Sequence, residues 1–220
     1  MVVSFSGIDG AGKTTQINLL IKYCEEHNLK CTRKWSKARG TPGIMFLKKI
    51  IRRDKGLDNE SKLDYRKKIY NTGWKKKLLL IFSLLDLCWY WGLYYRVIQH
   101  KYDVMILDRY IWDTFVEVST EFGSECLKKS FLWKIVKIVA LKPKKSILLM
   151  IPPEESLRRD LLKGEITTDE LELKKEKVDY YLQLREKKSW NVEIDAMQSI
   201  DDTFNIILKE IGLKEKNNGV

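Results

Sequence analysis

The chain has 220 residues, 44% hydrophobic and 32% charged, which excludes a wholly disordered or collagen-like polypeptide and suits one large core or a core with an appendage. Lys and Arg outnumber Asp and Glu by 41 to 30, a formal charge of +11. That excess biases the chain toward anionic partners without choosing among nucleotides, phosphorylated metabolites, nucleic acid and acidic membrane.

Val2 to Ser6 is a short apolar run rich in β-branched residues and reads as a buried strand. It has no basic start and no cleavage signature, so a cytoplasmic location is expected. Directly after it, Gly7-Ile8-Asp9-Gly10-Ala11-Gly12-Lys13-Thr14 fits G-x-x-x-x-G-K-[ST] at the junction of a strand and a helix. Glycines let the backbone curl so that successive N–H groups point inward, and the helix start adds its positive end. Gly7, Asp9, Gly10, Ala11, Gly12, Lys13, Thr14 and Thr15 are therefore the expected nucleotide-binding residues. Lys13 supplies a cation for the β- and γ-phosphates, and the Thr14 hydroxyl is a ligand for Mg²⁺.

Ile17, Leu20, Ile21 and Cys24 recur at helical spacing, and Asn28 closes that helix in a left-handed conformation. Leu29 to Trp35 is a weaker strand candidate. Leu78 to Tyr95, after Lys75, Lys76 and Lys77, is long and apolar enough to count as a membrane-span candidate. Asp86 in its middle argues against spanning. Packing of its aromatics and a homodimer are the expected uses of this helix. Contact with an anionic lipid surface, anchored by the three lysines, is the alternative.

Val104 to Leu107, Ile147 to Ile151 and Val192 to Ile194 are further strands separated by helical patterns. Strands alternating with helices make a parallel sheet whose ligands bind at the carboxyl ends of the strands. Asp108 and Arg109 end the Val104 strand on that rim. An aspartate there is placed to hold a metal, and an arginine to fork onto an anionic acceptor. The alternative is a strand-end salt bridge between the two side chains or with other loops. After Pro152 and Pro153 a helix with Glu154 and Glu155 in its first turn is expected. Lys163 to Lys177 is almost wholly polar and reads as an excursion or a solvated helix, and 214–220 as a frayed tail. Cys24, Cys31, Cys88 and Cys126 form no CxxC pair, so reduced thiols and no zinc site are expected. The lysine and arginine runs are scattered, which argues against a nucleic-acid partner.

These motifs resemble those of the thymidylate kinase family of nucleoside monophosphate kinases. The resemblance rests on residues 7 to 15, on Asp108-Arg109-Tyr110, on Pro152-Pro153-Glu154 with Leu157-Arg158, and on Ile194 to Ile200. It implies a P-loop NTPase-type three-layer α/β fold, with a five-stranded parallel sheet flanked by helices and a lid over about 154–177, all in one domain, 1–213. It also implies ATP and Mg²⁺ as cosubstrates and a small-molecule phosphate acceptor. Asp9 would sit near the acceptor sugar, Asp108 would join Thr14 at the metal, and Lys13, Arg109 and lid cations from Arg158, Arg159 or Lys163 would surround the migrating charge.

The chain departs from the family pattern on the acceptor side. Leu87 follows Asp86 where the family carries a thymine-reading arginine, a loss of about ten- to a hundredfold in thymine recognition. Lys37 and Arg39 keep cations in a loop without the family's Arg-Glu-Pro-Gly form. Asp113 and Glu117 stand where the family has Ser and Tyr-Gln. Two readings of the acceptor stay open: another nucleoside monophosphate, or thymidylate held by substitute contacts; and a different alcohol or phosphate, such as a sugar, a lipid-linked intermediate or a nucleoside, with Asp113 or Glu117 available as base. Asp113 has a third reading, as a helix cap or a surface acid.

Overall fold

A computed structural model describes residues 1–35, 43, 73–162 and 171–213. Five strands, β1 (Val2–Ser6), β2 (Cys31–Trp35), β3 (Val104–Asp108), β4 (Lys145–Met150) and β5 (Val192–Asp195), form one sheet in the order β2-β3-β1-β4-β5. Every pairing is parallel, with Phe5 beside Asp108 and Trp35 beside Asp108 on the other side. β4 is buried in its middle, Ile147 to Leu149, and β5 at alternate positions. β1 and β3 are buried throughout because they lie inside it, whereas β2, at the edge, is not. That edge position explains why Thr32, Arg33 and Lys34 give it so weak an apolar signal.

Two helices, α1 (Lys13–Glu26) and α8 (Ile200–Ile211), share a core with one face of the sheet. Val3, Phe5, Ile106, Ile147 and Leu149 meet Ile17, Leu20, Cys24, Ile207 and Ile211 there. Asn28 closes α1 at φ 53, the expected left-handed stop. On the opposite face, α3 (Ile111–Phe122) packs with α7 (Leu171–Glu186). Ser6, which alternates away from Phe5, reaches Asp113 of α3 with its hydroxyl. Helices on both faces of a parallel sheet make this a P-loop NTPase-type α/β fold.

The described chain divides into two compact units. The larger holds the sheet with α1, α3, α4 (Ser124–Lys128), α6 (Pro153–Leu162), α7 and α8. The smaller holds residues 73–97 and 130–141: most of α2 (Gly73–Trp89, continued by a π turn at Tyr90–Tyr94 and by Tyr95–Ile98) and α5 (Phe131–Val139). Gly92 lets these two helices approach, since a Cβ there would lie 3.2 Å from Val139 Cγ2. Trp91 and Tyr95 are fully buried, as packing of the aromatics requires, but Trp89 is 57% exposed.

The reading of 163–177 as a polar excursion or solvated helix is corrected in part. Residues 163–170 lie outside the described residues, but Leu171–Glu186 is a helix and its Lys174 is only 1% exposed. The polar composition hid a lysine whose head finds a partner inside.

Candidate active site

The β1–α1 loop is held open by its backbone. Gly7 has φ 142 and a Cβ on it would run into the Leu149 carbonyl oxygen, so a side chain is excluded there. Gly12, at φ 83, turns the chain into α1 without any side-chain cap, and the first turn of α1 carries no carboxylate. The N–H groups of that turn have no intrahelical acceptor, and the helix dipole adds to them. They are arranged as an anion cradle.

Beside the cradle is a cleft of about 230 Å³ lined by Asp9 to Thr15, by Arg33 and Trp35 of β2, and by Asp108 and Arg109 of β3. It lies at the carboxyl ends of β1, β2 and β3, where ligands of open α/β sheets bind. Lys13 is 6% exposed, and its Nζ donates to the Gly7 carbonyl at 2.6 Å and the Ile8 carbonyl at 2.7 Å. Burial, helped by repulsion from Arg109, pushes its pKa down to about 7 against the pull of Asp9, Asp113 and Asp108. Thr14 and Thr15 are exposed on the same loop.

Arg109 occupies the left-handed region at φ 66, an uncommon conformation for a side-chain-bearing residue, and its guanidinium pairs with the Asp9 carboxylate. Burial works against its charge, but Asp9 and Asp113 outweigh that and hold it firmly protonated. Asp108 is buried, and both Arg33 contacts, one of them Nε at 3.0 Å, go to its Oδ2. The pairing with Arg33 uses Oδ2 alone, and Asp108 is among the residues that line the cleft. Each of the two does make a salt bridge, Asp108 with Arg33 of β2 and Arg109 with Asp9 of the β1–α1 loop, rather than one with the other.

Asp113 does not enter the cleft. Its carboxylate accepts from Ser6 Oγ at 2.6 Å, Tyr181 OH at 2.8 Å, the Tyr110 N–H at 3.1 Å and the Gly7 N–H at 3.3 Å. These four donors commit it to holding the loop and the start of α3, which corrects its candidacy as a base and agrees with its reading as a cap. Tyr181 also contacts the Gly7 carbonyl at 3.2 Å, and burial together with Asp113 raises its pKa well above the ordinary tyrosine value, so it stays a donor. Glu117 is half-buried and is not among the cleft residues. Asp86 lies in the smaller unit, where it accepts from the Gly43 N–H at 2.9 Å, and its neighbour Leu87 is fully buried. Lys37 and Arg39 lie outside the described residues.

The two arginines of α6 part company. Arg158 is forked onto Glu155 with two 2.7 Å bonds and is 62% exposed, away from the cleft residues. Arg159 also takes Glu155 but extends to the Gly10 carbonyl at 3.3 Å and the Ala196 carbonyl at 3.1 Å. Glu155, held by both guanidiniums, has its pKa lowered to about 2. Helical spacing alone does not separate the pair.

Sequence reading missed Arg33, Trp35, Lys174 and Tyr181. Alternation along β2 puts Cys31, Arg33 and Trp35 on one face, a signal that becomes useful once β2 is known to lie beside β3. Lys174 donates to Ser156 Oγ at 3.1 Å, and Ser156 donates to the Asp9 carbonyl at 2.5 Å, tying α7 and α6 to the loop. No local pattern announces that contact.

No protein-family model matches the chain. The chain is 24% identical over 214 residues to a thymidylate kinase of Plasmodium falciparum, covering 95% of this chain and 88% of that protein. It is 62% identical over 29 residues to a thymidylate kinase of Fervidobacterium nodosum, a local match covering 13% of this chain and 15% of that one.

Proposed function

We propose that the chain is an ATP-dependent, Mg²⁺-assisted phosphotransferase of the nucleoside monophosphate kinase type. The observation that carries this reading is the convergence of Lys13, Thr14, Asp108 and Arg109 on one cleft beside an open anion cradle. The similarity to thymidylate kinases along nearly the whole chain supports it.

The donor set suits Mg²⁺: the Thr14 hydroxyl and Asp108 Oδ1 would hold it together with substrate phosphates, without a dedicated cage of carboxylates. Bound there, it would neutralise charge on the β- and γ-phosphates. The first turn of α1 binds the polyphosphate, and Lys13 leaves the Gly7 and Ile8 carbonyls for it. Arg109 exchanges part of its hold on Asp9 for the acceptor phosphate and lines that group up with the γ-phosphoryl. An acceptor phosphate oxygen forms the new P–O bond as the bond to the β–γ bridging oxygen breaks, and ADP leaves with that electron pair. An ionised acceptor needs no base, and with Asp113 committed to four donors this is the acceptor class the site favours over a hydroxyl.

A coupled ADP-release assay over the common nucleoside monophosphates tests the proposal. We expect turnover with at least one of them, with thymidylate a weak acceptor because Leu87 offers no donor. Arg109→Ala should lose transfer by at least about a hundredfold while ATP affinity changes less than about threefold. Equal loss of both would place Arg109 on the donor and overturn its acceptor role.

Lys13 gives the binding step a pH signature. The free loop releases the Lys13 proton as pH rises through about 7, whereas bound phosphates favour the ammonium, so nucleotide binding takes a proton up. Uptake should approach ~0.9 proton at about pH 8 and fall to ~0.1 at about pH 6. Calorimetric heats in buffers of different protonation enthalpy read this directly. Buffer-independent heat at the higher pH would contradict it.

A further inference from the structure

The loop between β1 and α1 is oriented from behind. Each carbonyl from Gly7 to Gly10 receives a donor: Gly7 from Lys13 and from Tyr181 of α7, and Ile8 from Lys13 and the Ala11 N–H. Asp9 receives Ser156 Oγ of α6 at 2.5 Å, and Gly10 receives Arg159 of the same helix at 3.3 Å. Three residues apart, Ser156 and Arg159 share one face of α6, which thus grips two successive carbonyls. The described chain has no cis peptide, and in a trans peptide the carbonyl and the following N–H point in opposite directions. Ser156 therefore turns the Gly10 N–H away from α6, and Gly10 lines the cleft.

Ser156 holds Asp9 only while its hydroxyl hydrogen points there. A serine hydroxyl carries one hydrogen and rotates to suit its neighbours. Within a helix it has a ready competitor, the carbonyl four residues earlier. Here that is the Pro152 carbonyl, which takes the Ser156 N–H at 3.0 Å and keeps a second lone pair. Lys174 of α7 decides between them. Its Nζ lies 3.1 Å from Ser156 Oγ, and a lysine donates but does not accept. Ser156 must then accept from Lys174 and give its own hydrogen onward to Asp9. Both residues are buried, Ser156 at 0% and Lys174 at 1% exposure. Taking a lysine head out of water is costly, and a methionine would fill the same space without that cost.

We propose that Lys174 is a positioning residue of the phosphate cradle. By donating to Ser156 it commits that hydroxyl to the Asp9 carbonyl, which fixes the Asp9–Gly10 peptide and makes the Gly10 N–H a stronger donor to a polyphosphate oxygen. Hydrogen bonds in a chain polarise one another, so the lysine is felt at the cleft through the serine and the peptide. This role rests on the polyphosphate reading of the loop and adds to it a residue that acts through others, since Lys174 is not among the cleft residues. Docking of α7 on α6 does not account for it. Lys175, the next residue, ties the same two helices through Glu154 at 3.6 Å on their exposed side.

The test is calorimetric binding of inorganic tripolyphosphate and of Mg·ATP to the full chain and to Lys174→Met, Ser156→Ala and the double variant. Each single substitution should weaken both ligands by about fivefold to tenfold. The double variant should lose no more than about twofold beyond the weaker single, because both substitutions break one chain, whereas independent losses would multiply to about 25-fold or more. Lys175→Gln should change binding by less than about twofold. In turnover, KM for ATP should rise while KM for the acceptor stays within about twofold. Without any ligand, the Gly10 amide resonance should move in the same direction in both single variants. Ser156→Ala removes one oxygen and leaves both helices packed, so unchanged affinity in that variant overturns the proposal even if Lys174→Met does not fold. So would multiplied losses in the double variant, or an equal loss in Lys175→Gln, which would give the effect to helix docking. An unsubstituted chain that binds tripolyphosphate but transfers no phosphoryl group would refute the kinase reading and leave the role of Lys174 standing. One that binds neither ligand would overturn both.

Discussion

Replacing Lys13 by alanine is expected to cut turnover by at least about a thousandfold while leaving the fold intact. Arg33 and Arg109 are each paired with a carboxylate, whereas the Lys13 ammonium rests on the carbonyls of Gly7 and Ile8. Those neutral acceptors release it readily to a phosphate. No other side chain of the loop supplies a cation, so alanine leaves the developing charge of the transferring group without its nearest partner. Folding should survive, because burial already disfavours the charged lysine and its removal relieves that cost. A coupled assay with a thermal melt on the same sample reads both quantities. Retention of more than about a tenth of the turnover would contradict the assignment.

Asp113→Ala is expected to have the largest effect on stability, about 3–5 kcal/mol, or roughly 6–20 °C in Tm for a chain of this size. The Ser6 and Tyr181 hydroxyls and the Gly7 and Tyr110 N–H groups all donate to this one carboxylate. Alanine strands four donors where water has little access. Asp113→Asn keeps one acceptor oxygen but turns its amide toward the donors, so it should fall between the two. Denaturant unfolding measures the loss, and because the network also holds Gly7, nucleotide affinity should drop with it. A loss below about 1 kcal/mol with unchanged affinity would mean that the loop holds its shape without this network.

The phosphate loop was legible because its chemistry is local: glycines, lysine and threonine act within eight residues, between a β-branched run and an amphipathic helix. The strands at Val104, Ile147 and Val192 were legible for the same reason, being short, apolar and bounded. What stayed hidden depends on register. Arg33 reaches Asp108 only because β2 lies against β3, and nothing within Cys31–Trp35 states which strand will be its neighbour. Tyr181 meets Asp113 across 68 residues of sequence, and Lys174 meets Ser156 from a stretch whose composition signals solvent. Arg109 was readable as a rim residue, but its left-handed backbone, which aims it at Asp9, was not. Asp113 shows the same limit from the other side. Its position three residues after Tyr110 was compatible with a helix cap, and only the packing of β1 and α7 against α3 decides that both oxygens are spent there.

The central claim is that the amides between Gly7 and Thr15 grip a polyphosphate. Equilibrium dialysis of the full chain against labelled Mg·ATP tests it most directly. We expect saturable uptake of one nucleotide per chain, displaced by excess inorganic tripolyphosphate and weakened at least about tenfold by Lys13→Ala. Uptake that never saturates, or that is the same in the alanine variant, would contradict it.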